Sequence, residues 1–583
     1  MVYIFPPIWF FRMSWIIGSI SSENSLRKSI QEIHPSPLFT SKSSDKYIAA
    51  GGNPFTCHFS QTEANSGWAL VGTGMSRSNN EYKIMDLNDW SEYLLKNNSF
   101  QYPISGHYVL VSWNGSNLKI ETDPLGLREI YLYFSDNFLL FSTRIDWIGK
   151  ITKTDFDIMN LGSAWFLSSQ ISNESLLKDV VRITKCKECI IDKKSYNIKL
   201  WDEVFDPKIE SSPEEFYSEL ETMINSLCFN SESFELSLSG GLDSRLLLSY
   251  LLKNNNQNIK THTFGNPKHP DNKIANNISE KLNFKHRNIY LPPEQNKNLI
   301  EEIEEFILQK RVTNPITEYL NLCYYNYFKS QTIIIDGGFG ELWRNESLYR
   351  LKTTEKNAVF SKNINSLFRL LSFNRADIFK EEVILEMKNQ IGLQIEKLFS
   401  NTIGYDDIGL SNMLDILLFN IKMPNFISPE QTRIDNYAIC IMPFVQPAVL
   451  RLFLGLNDEL KINGNLFRSI IKKNCPQLEN FRLVKNNVIR SYYSGSMKTR
   501  VVNRLKERLG LAYNEPDKLK LLYLLREYAN DLANSQSVKE YHLYDHNKIR
   551  TLVEDFYNGN ATLSSEVNWW LSFEIFRKYI SAN

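Results

Sequence analysis

Two rhythms of apolar and polar residues divide this chain. Up to about residue 205 the apolar and aromatic residues come in short runs: GHYVLVSW (Gly106–Trp113), NLKIETD (Asn117–Asp123), EIYLYFSD (Glu129–Asp136) and FLLFST (Phe138–Thr143). Turn formers such as Asn114-Gly115 and Asp136-Asn137 separate them, which predicts strands in an antiparallel meander. A polar stretch containing Pro207 and Pro213, Asp202–Glu215, reads as a linker. From about residue 215, strands alternate with helices. Phe216–Cys228, Arg245–Lys253 and Asn272–Leu282 carry helical spacing. Phe234–Leu238, Asn258–Phe264, Arg287–Leu291 and Thr332–Ile335 read as strands. Repeated β-α-β units with buried strands predict a doubly wound parallel sheet, with ligands at the carboxyl ends of its strands. Beyond about residue 350 the pattern is mostly helical, most clearly over Lys518–Leu532 and Val567–Ile580. The expected class is therefore α/β: a β-rich domain over residues 1–205, then a parallel-sheet domain over residues 215–583 with a helical end.

Composition refines this only at the margins. The 583 residues allow two to four domains. Because 66 Lys+Arg balance 66 Asp+Glu, no bulk positive field is available to grip nucleic acid or an anionic membrane, and neither is an expected partner. The 7 cysteines form an odd, scattered set, which points to a reducing, cytoplasmic setting rather than a disulfide framework. Cys186 and Cys189 make one C-x-x-C without a second pair, and between Val180-Val181 and Ile190-Ile191 they read as ordinary strand positions. The opening MVYIFPPIWFFRMSWIIGSIS is broken by Pro6-Pro7 and Arg12; it fits neither a signal peptide nor a spanning helix and reads as a buried edge of the first domain.

The chemistry concentrates in FELSLSGGLDSRLLL, residues 234–248. A strand runs into Ser239-Gly240-Gly241-Leu242-Asp243-Ser244 and a helix begins at once. Glycines permit close backbone approach, and two serine hydroxyls sit beside the free amides of a helix N-terminus, which together suit an anion. No Lys follows the glycines, so this is not the G-x-x-x-x-G-K-[ST] loop, and it is not G-x-G-x-x-G. The plain alternative is a Ser/Asp helix cap after a glycine turn. The six-residue string resembles the pyrophosphate loop of the ATP-pyrophosphatases, and among them it is most similar to the asparagine synthetase family.

Other segments follow in that family's order. THTFG (Thr261–Gly265) is similar to its second strand, and Asp271, Ala275, Ile278 and His286 to its D…A…A…H spacing. IIIDGGFGELW (Ile333–Trp343) resembles its glycine-rich acidic loop. MPFVQPAV (Met442–Val449) resembles a "vPFlD" helix start, RSIIK (Arg468–Lys472) a "K-x-L-L-R", and Asp123–Thr143 a hairpin of the first domain. The resemblance implies that the first domain is an Ntn-hydrolase-like sandwich of the class II glutamine amidotransferase type. It implies for the second domain that ATP and Mg2+ bind at Leu238, Ser239, Gly240, Gly241, Asp243, Ser244, Phe264, Ile335, Asp336 and Gly337. Asp243, Asp336 and Glu341 would hold the metal, and Asp243, Glu341 and Arg468 would serve catalysis.

The chain also departs from the family. Glutamine-using members begin Met-Cys, the cysteine being the amidase nucleophile, whereas here Val2 follows Met1. Ser14 takes the cysteine's place if the first twelve residues are an extension, and translation from Met1 or from Met13 fits the text equally. No cysteine precedes Cys57, no N-G-E-[IL]-Y-N string occurs, and a serine without an evident base is a poor nucleophile. Glutaminase activity is expected to be absent. In the acidic loop Gly340 replaces an Asp and Gly337 a Glu, with Asp336 one position earlier. Arg468 stands where the family has Lys, keeping the positive charge without the ability to accept a proton. Ile439 and Ile441 replace an upstream Glu and Arg.

The expected reaction is attack of a small-molecule or peptide carboxylate on the α-phosphate of ATP, loss of pyrophosphate, and capture of the acyl-adenylate by ammonia or an amine. The alternatives are a ring-closing synthetase of the β-lactam synthetase or lasso-peptide cyclase type and a non-catalytic nucleotide-binding relative. A homodimer is compatible with any of these. Arg245, Arg344 and Arg468 are candidate anion clamps. His262 reads as a packed strand residue rather than a base, and His542 with His546 lacks the Glu of a zinc helix.

Overall fold

The computed structural model describes all residues except 1–12, 64, 79, 97–103, 116, 168, 193–194, 202–209, 230–232, 254–257, 310–313, 341–348, 401–407, 494–514 and 582–583. Among the described residues, thirteen strands build the first domain: β1 (Trp15–Ile20), β2 (Phe39–Lys42), β3 (Lys46–Gly51), β4 (Cys57–Glu63), β5 (Ser66–Ser78), β6 (Glu81–Ile84), β7 (Ser105–Asn114), β8 (Asn117–Thr122), β9 (Ile130–Phe134), β10 (Leu139–Ser142), β11 (Val180–Ile183), β12 (Cys186–Asp192) and β13 (Ser195–Leu200). They form two antiparallel sheets, β11-β9-β10-β1-β3-β2 and β13-β12-β8-β7-β5-β4, with β6 paired to β5.

Alternation along each strand decides what lies between the sheets. Ile16, Ile48, Leu132 and Phe141 from one sheet meet Val71, Val109, Val111 and Ile120 from the other in a single core. The opposite faces are apolar too, and helices cover them. Helices Asn24–Ile33 and Ile145–Thr152 place Ile30 and Ile148 in the core that also holds Ile17 of the first sheet. Helix Leu87–Leu95 brings Trp90 and Tyr93 onto Leu70, Tyr108 and Leu110 of the second sheet. The layering is helix, sheet, sheet, helix.

The expected meander is thus two hairpins in different sheets, because β8 pairs with β7 and β12 while β9 pairs with β10 and β11. Both faces of β7, β8, β9 and β10 are largely buried, so the alternation that would reveal a change of sheet is lost. The described part of the opening apolar run is no edge: β1 lies between β10 and β3. Residues 1–12 lie outside the described residues, as do residues 202–209 of the expected linker.

The second domain is built on five parallel strands: β14 (Phe234–Ser237), β15 (Lys260–Phe264), β16 (Lys285–Ile289), β17 (Ile333–Ile335) and β18 (Ile439–Ile441). Their order is β16-β15-β14-β17-β18. The chain therefore winds outward from β14 to one edge and then crosses back to the other, making a switch point between β14 and β17, where such sheets open a crevice at the strand ends. Helices Pro213–Phe229, Leu242–Lys253 and Pro270–Leu282 match the expected ones to within a few residues. β16 begins two residues before the expected Arg287. β18 lies inside the stretch read as helical, since three residues are too few to show a period. Lys518–Leu532 is two helices, Pro516–Leu524 and Arg526–Asn534, parted at Leu525, where φ is −88° and ψ 10°. Helix Ser564–Ser581 covers the other expected stretch. A two-stranded hairpin, β19 (Leu483–Lys485) and β20 (Val488–Arg490), stands apart from the sheet. One continuous core joins the domains, from Trp15 and Trp147 to Leu236, Phe444 and Trp570.

Candidate active site

Leu236 and Leu238 are buried in the middle of the parallel sheet, and the last sheet bond of this strand, Leu238 N–H to His262 O at 2.8 Å, releases the chain at Ser239. The two serines then knit the turn. Ser239 N–H donates to Ser244 Oγ at 3.1 Å, the two hydroxyl oxygens are 3.0 Å apart, and Gly241 N–H donates to Ser239 Oγ at 3.1 Å. Helix Leu242–Lys253 starts immediately, with Asp243 in its first turn, where a negative charge is favoured.

The glycines are required by contacts rather than by dihedral angles. Gly240 N–H donates to Asp271 Oδ1 at 2.7 Å, and Gly240 O accepts Val484 N–H of β19 at 2.9 Å. A Cβ on Gly240 would lie 2.3 Å from Val484 Cγ2. The acidic loop comes down on the same helix start: a Cβ on Gly337 would lie 2.8 Å from Ser244 N, and one on Gly340 would lie 2.4 Å from Asp243 Cγ. The two departures from the family pattern are therefore what let this loop touch Asp243. Asp336 N–H donates to Ile441 O at 3.0 Å, and Asp336 Oδ1 accepts Gly338 N–H at 2.6 Å.

The structure thus brings together Ser239, Gly240, Gly241, Asp243, Ser244, Asp336 and Gly337. Ile335 and Leu238 are 1% exposed, so they shape the strand ends from within. Phe264 is half-buried, its ring 4.9 Å from that of Tyr325 and 5.5 Å from that of Tyr324. Glu341 and Arg344 lie outside the described residues. Among the described residues no three of His, Cys, Asp and Glu gather as a metal cage. Asp243 and Asp336 nonetheless suit Mg2+, which takes one or two carboxylates and fills its shell with water and phosphate oxygens; Gly337 and Gly340 bring the acidic loop, with Asp336, directly against the start of the Asp243 helix.

Two arginines read as anion clamps have other work. Arg245 is fully buried and donates to four carbonyls: Leu478 and Phe481 at 3.3 and 2.8 Å, and Gly240 and Arg482 at 3.4 and 2.8 Å. Burial lowers its pKa to about 10. It is a cross-brace between the loop and the segment before β19. Arg468 donates to Asn463 O at 3.4 Å and to Tyr492 O, and its guanidinium stacks 4.6 Å from the centroid of the Tyr492 ring.

In the first domain, Ser14 is fully buried. Its hydroxyl lies 2.5 Å from Thr56 Oγ1 and donates to Asn53 O at 3.3 Å. Ser14 O accepts the Arg128 guanidinium, whose other arm reaches Asp435 of the second domain. Asp435 is fully buried: His107 Nε2 is 2.7 Å from its carboxylate, and Asn53 Nδ2 and Thr56 Oγ1 donate to its carbonyl at 2.9 and 3.3 Å. Among the described residues no base stands beside the Ser14 hydroxyl, and the loop that leads into β18 packs on its neighbours Asn53 and Thr56. These residues are scattered along the sequence, and only the resemblance that singled out Ser14 pointed there.

Residues 216–334 match the family model described as asparagine synthase, a span that opens in helix Pro213–Phe229 and ends within β17. This segment belongs to the asparagine synthase family. No curated protein matches the chain. Among solved structures, glutamine phosphoribosylpyrophosphate (PRPP) amidotransferase from B. subtilis, complexed with ADP and GMP, shares 9% identity over 55% of this chain and 75% of its own, with a TM-score of 0.20. A second, titled as the allosteric regulatory enzyme of purine biosynthesis, shares 10% identity over 60% and 73%, also with a TM-score of 0.20. At these scores neither likeness supports an argument about this chain. The asparagine synthase segment contains the whole Ser239–Ser244 loop, β14, β15 and β16. No described helix is long and apolar enough to cross a membrane.

Proposed function

We propose that this chain is an ATP-dependent amide-forming ligase that activates a carboxylate as an acyl-adenylate, releases pyrophosphate and passes the acyl group to ammonia or another amine. The observation that carries this reading is the Ser239–Ser244 loop. It joins a buried parallel strand to a helix start at the switch point of the sheet, within the segment that matches asparagine synthase. The loop amides and hydroxyls would receive the β- and γ-phosphates, exchanging the internal bonds of Ser239, Gly240 and Gly241 for phosphate oxygens. Phe264 would border the adenine. Mg2+ on Asp243 and Asp336 would neutralise charge on the departing pyrophosphate.

The first domain enters this reading as an Ntn-hydrolase-like sandwich of the glutamine amidotransferase type without amidase activity. Its four-layer arrangement supports the class, and the buried Ser14, with no base beside it among the described residues, supports the loss of activity. The amine then comes from solution, from another protein or from the substrate itself.

ATP–pyrophosphate exchange across a panel of amino-acid carboxylates, beginning with L-aspartate, tests the reading. Exchange that depends on one carboxylate and is abolished by Asp243→Asn is expected. Exchange unaffected by that substitution would overturn the assignment of the loop, and amide formation with glutamine as the sole nitrogen source would overturn the loss of the amidase.

A further inference from the structure

A row of polar side chains crosses the parallel sheet just beneath the strand ends. The register pairs Ser237 with His262 and His262 with Arg287, which puts all three on one face. Leu236 pairs with Ile335, so the alternation of β17 carries Asp336 onto the same face as Ser237. Ser237 and Asp336 thus flank the switch point between β14 and β17.

Within the row the groups are ordered as a relay. Ser237 Oγ is 3.0 Å from His262 Nε2. His262 Nδ1 is 3.3 Å from Glu235 Oε2, a close approach rather than an aligned hydrogen bond. Glu235 is in turn fixed by Arg287, whose Nε and Nη2 donate to its two oxygens at 3.1 and 2.8 Å. One tautomer suits this arrangement, with Nδ1–H on the side of the carboxylate and the Nε2 lone pair toward the serine hydroxyl. The rings of Phe264 and Phe328, 4.8 and 4.7 Å from the imidazole, shut out water. His262 is 1% exposed, while Ser237, one residue before Leu238 and the loop, is half-buried.

We propose that Ser237 and His262 form the proton relay of the amide-forming step and that Glu235 and Arg287 position the imidazole, an inference that rests on the ligase reading above. The amine's lone pair forms the C–N bond at the acyl carbon. The bond from that carbon to the AMP oxygen breaks, and its electron pair leaves with AMP. The ammonium proton passes to Ser237 Oγ as the hydroxyl's own proton moves to His262 Nε2, and the imidazolium is balanced by Glu235. The relay supplies the proton acceptor that Arg468 cannot provide.

Ser237 acts here as a relay and not as an acyl-accepting nucleophile, because the adjacent amides that would form an oxyanion hole are taken. Leu238 N–H is bonded to His262 O within the sheet, and Ser239 N–H goes to Ser244 Oγ or, with ATP bound, to phosphate. The charged groups that set the imidazole's behaviour are Glu235 on β14, Arg287 on β16 and Asp336 after β17, with His286 of β16 on the opposite face. Burial is the largest influence and lowers the pKa of His262, which keeps it neutral and able to accept a proton.

The test compares two half-reactions of the full-length chain, with L-aspartate and ammonia as probes: ATP–pyrophosphate exchange and amide formation. In Ser237→Ala and His262→Gln, amide formation should fall about 10²–10⁴-fold relative to exchange. Glu235→Gln removes a carboxylate that raises the imidazole pKa, so the pH at which amide formation rises should move downward; a merely structural role would leave that limb in place. An unchanged ratio in Ser237→Ala, or an acyl group trapped on Ser237, would overturn the relay. If no carboxylate supports exchange in the wild-type chain, it is the ligase reading that fails. In that case 15N-histidine spectra still decide the pair: an Nδ1-protonated His262 whose Nε2 signal shifts in Ser237→Ala supports it, and an Nε2-protonated ring overturns it.

Discussion

Asp435→Asn is the sharpest probe of how the two domains are joined. The carboxylate is fully buried against the Arg128 guanidinium, which is 1% exposed, and against His107, which is 2% exposed. Asparagine keeps the shape and one oxygen acceptor, and the bonds of Asn53 and Thr56 to the Asp435 carbonyl remain. What disappears is the charge, which leaves the Arg128 cation buried without its ion-pair partner, held by neutral acceptors such as the Ser14 carbonyl. Breaking one side of a buried ion pair costs about 3–5 kcal/mol, a large part of the roughly 5–15 kcal/mol that holds a typical domain together. Arg128→Met in the same chain removes the stranded cation, so the double variant should be more stable than Asp435→Asn alone. Urea unfolding at pH 7, followed by both tryptophan fluorescence and circular dichroism, measures both effects. A single variant within about 1 kcal/mol of wild type, or a double variant at least as unstable as the sum of the two singles, would refute the ion-pair account.

Three further outcomes follow from the same geometry. Gly340→Ala forces a methyl group to within 2.4 Å of Asp243 Cγ; displacing that carboxylate by about 1 Å should lower ATP–pyrophosphate exchange on the order of 10²-fold, and an undiminished rate would show that Asp243 has room to yield. Arg245→Lys retains the charge but cannot span four carbonyls, so stability should fall by about 2–4 kcal/mol; normal stability with weakened ATP binding would restore Arg245 as an anion clamp. Glu121 accepts the hydroxyls of Tyr93 and Tyr108 at 2.7 and 3.0 Å, and burial raises its pKa to about 7. Because the folded state favours the protonated acid, its contribution is complete below the unfolded pKa near 4.5 and is lost as pH rises to about 7, a change of about 3 kcal/mol. Glu121→Gln should flatten that slope in unfolding curves taken between pH 5 and pH 8, and an unaltered slope would remove Glu121 as its source.

The loop was legible because its signal is local: an apolar strand, Gly-Gly, an acid and an apolar helix lie within fifteen consecutive positions, and each reads without reference to distant residues. Gly337 and Gly340 look like losses in the text, since their value lies in a contact with Ser244 and Asp243 made across the sheet. β18 escaped for lack of length. Arg245 misled because an arginine beside a phosphate loop suggests an anion, whereas its partners are carbonyls of residues 478–482 and of Gly240. His262 was correctly read as packed, but its pairing with Ser237 depends on the register of two parallel strands, and no local pattern encodes register between strands joined by a helix. Asp435 is the extreme case, a single loop residue whose four partners, Asn53, Thr56, His107 and Arg128, lie in the other domain.

The position of β18 bears on how the chain is made. β17 and its neighbour β18 are adjacent in the sheet, yet residues 336–438 lie between them in sequence. At a synthesis rate of about 5–20 residues per second, β17 waits roughly 5–20 s on the ribosome with one edge unpaired. Asp435 emerges in the same interval, so Arg128 and His107 stay exposed to water until then. Late closure of both the sheet edge and the interdomain pocket makes the nascent chain vulnerable to strand-edge association. A translational pause placed before residue 439 would lengthen that window, and soluble yield is where its cost would be seen.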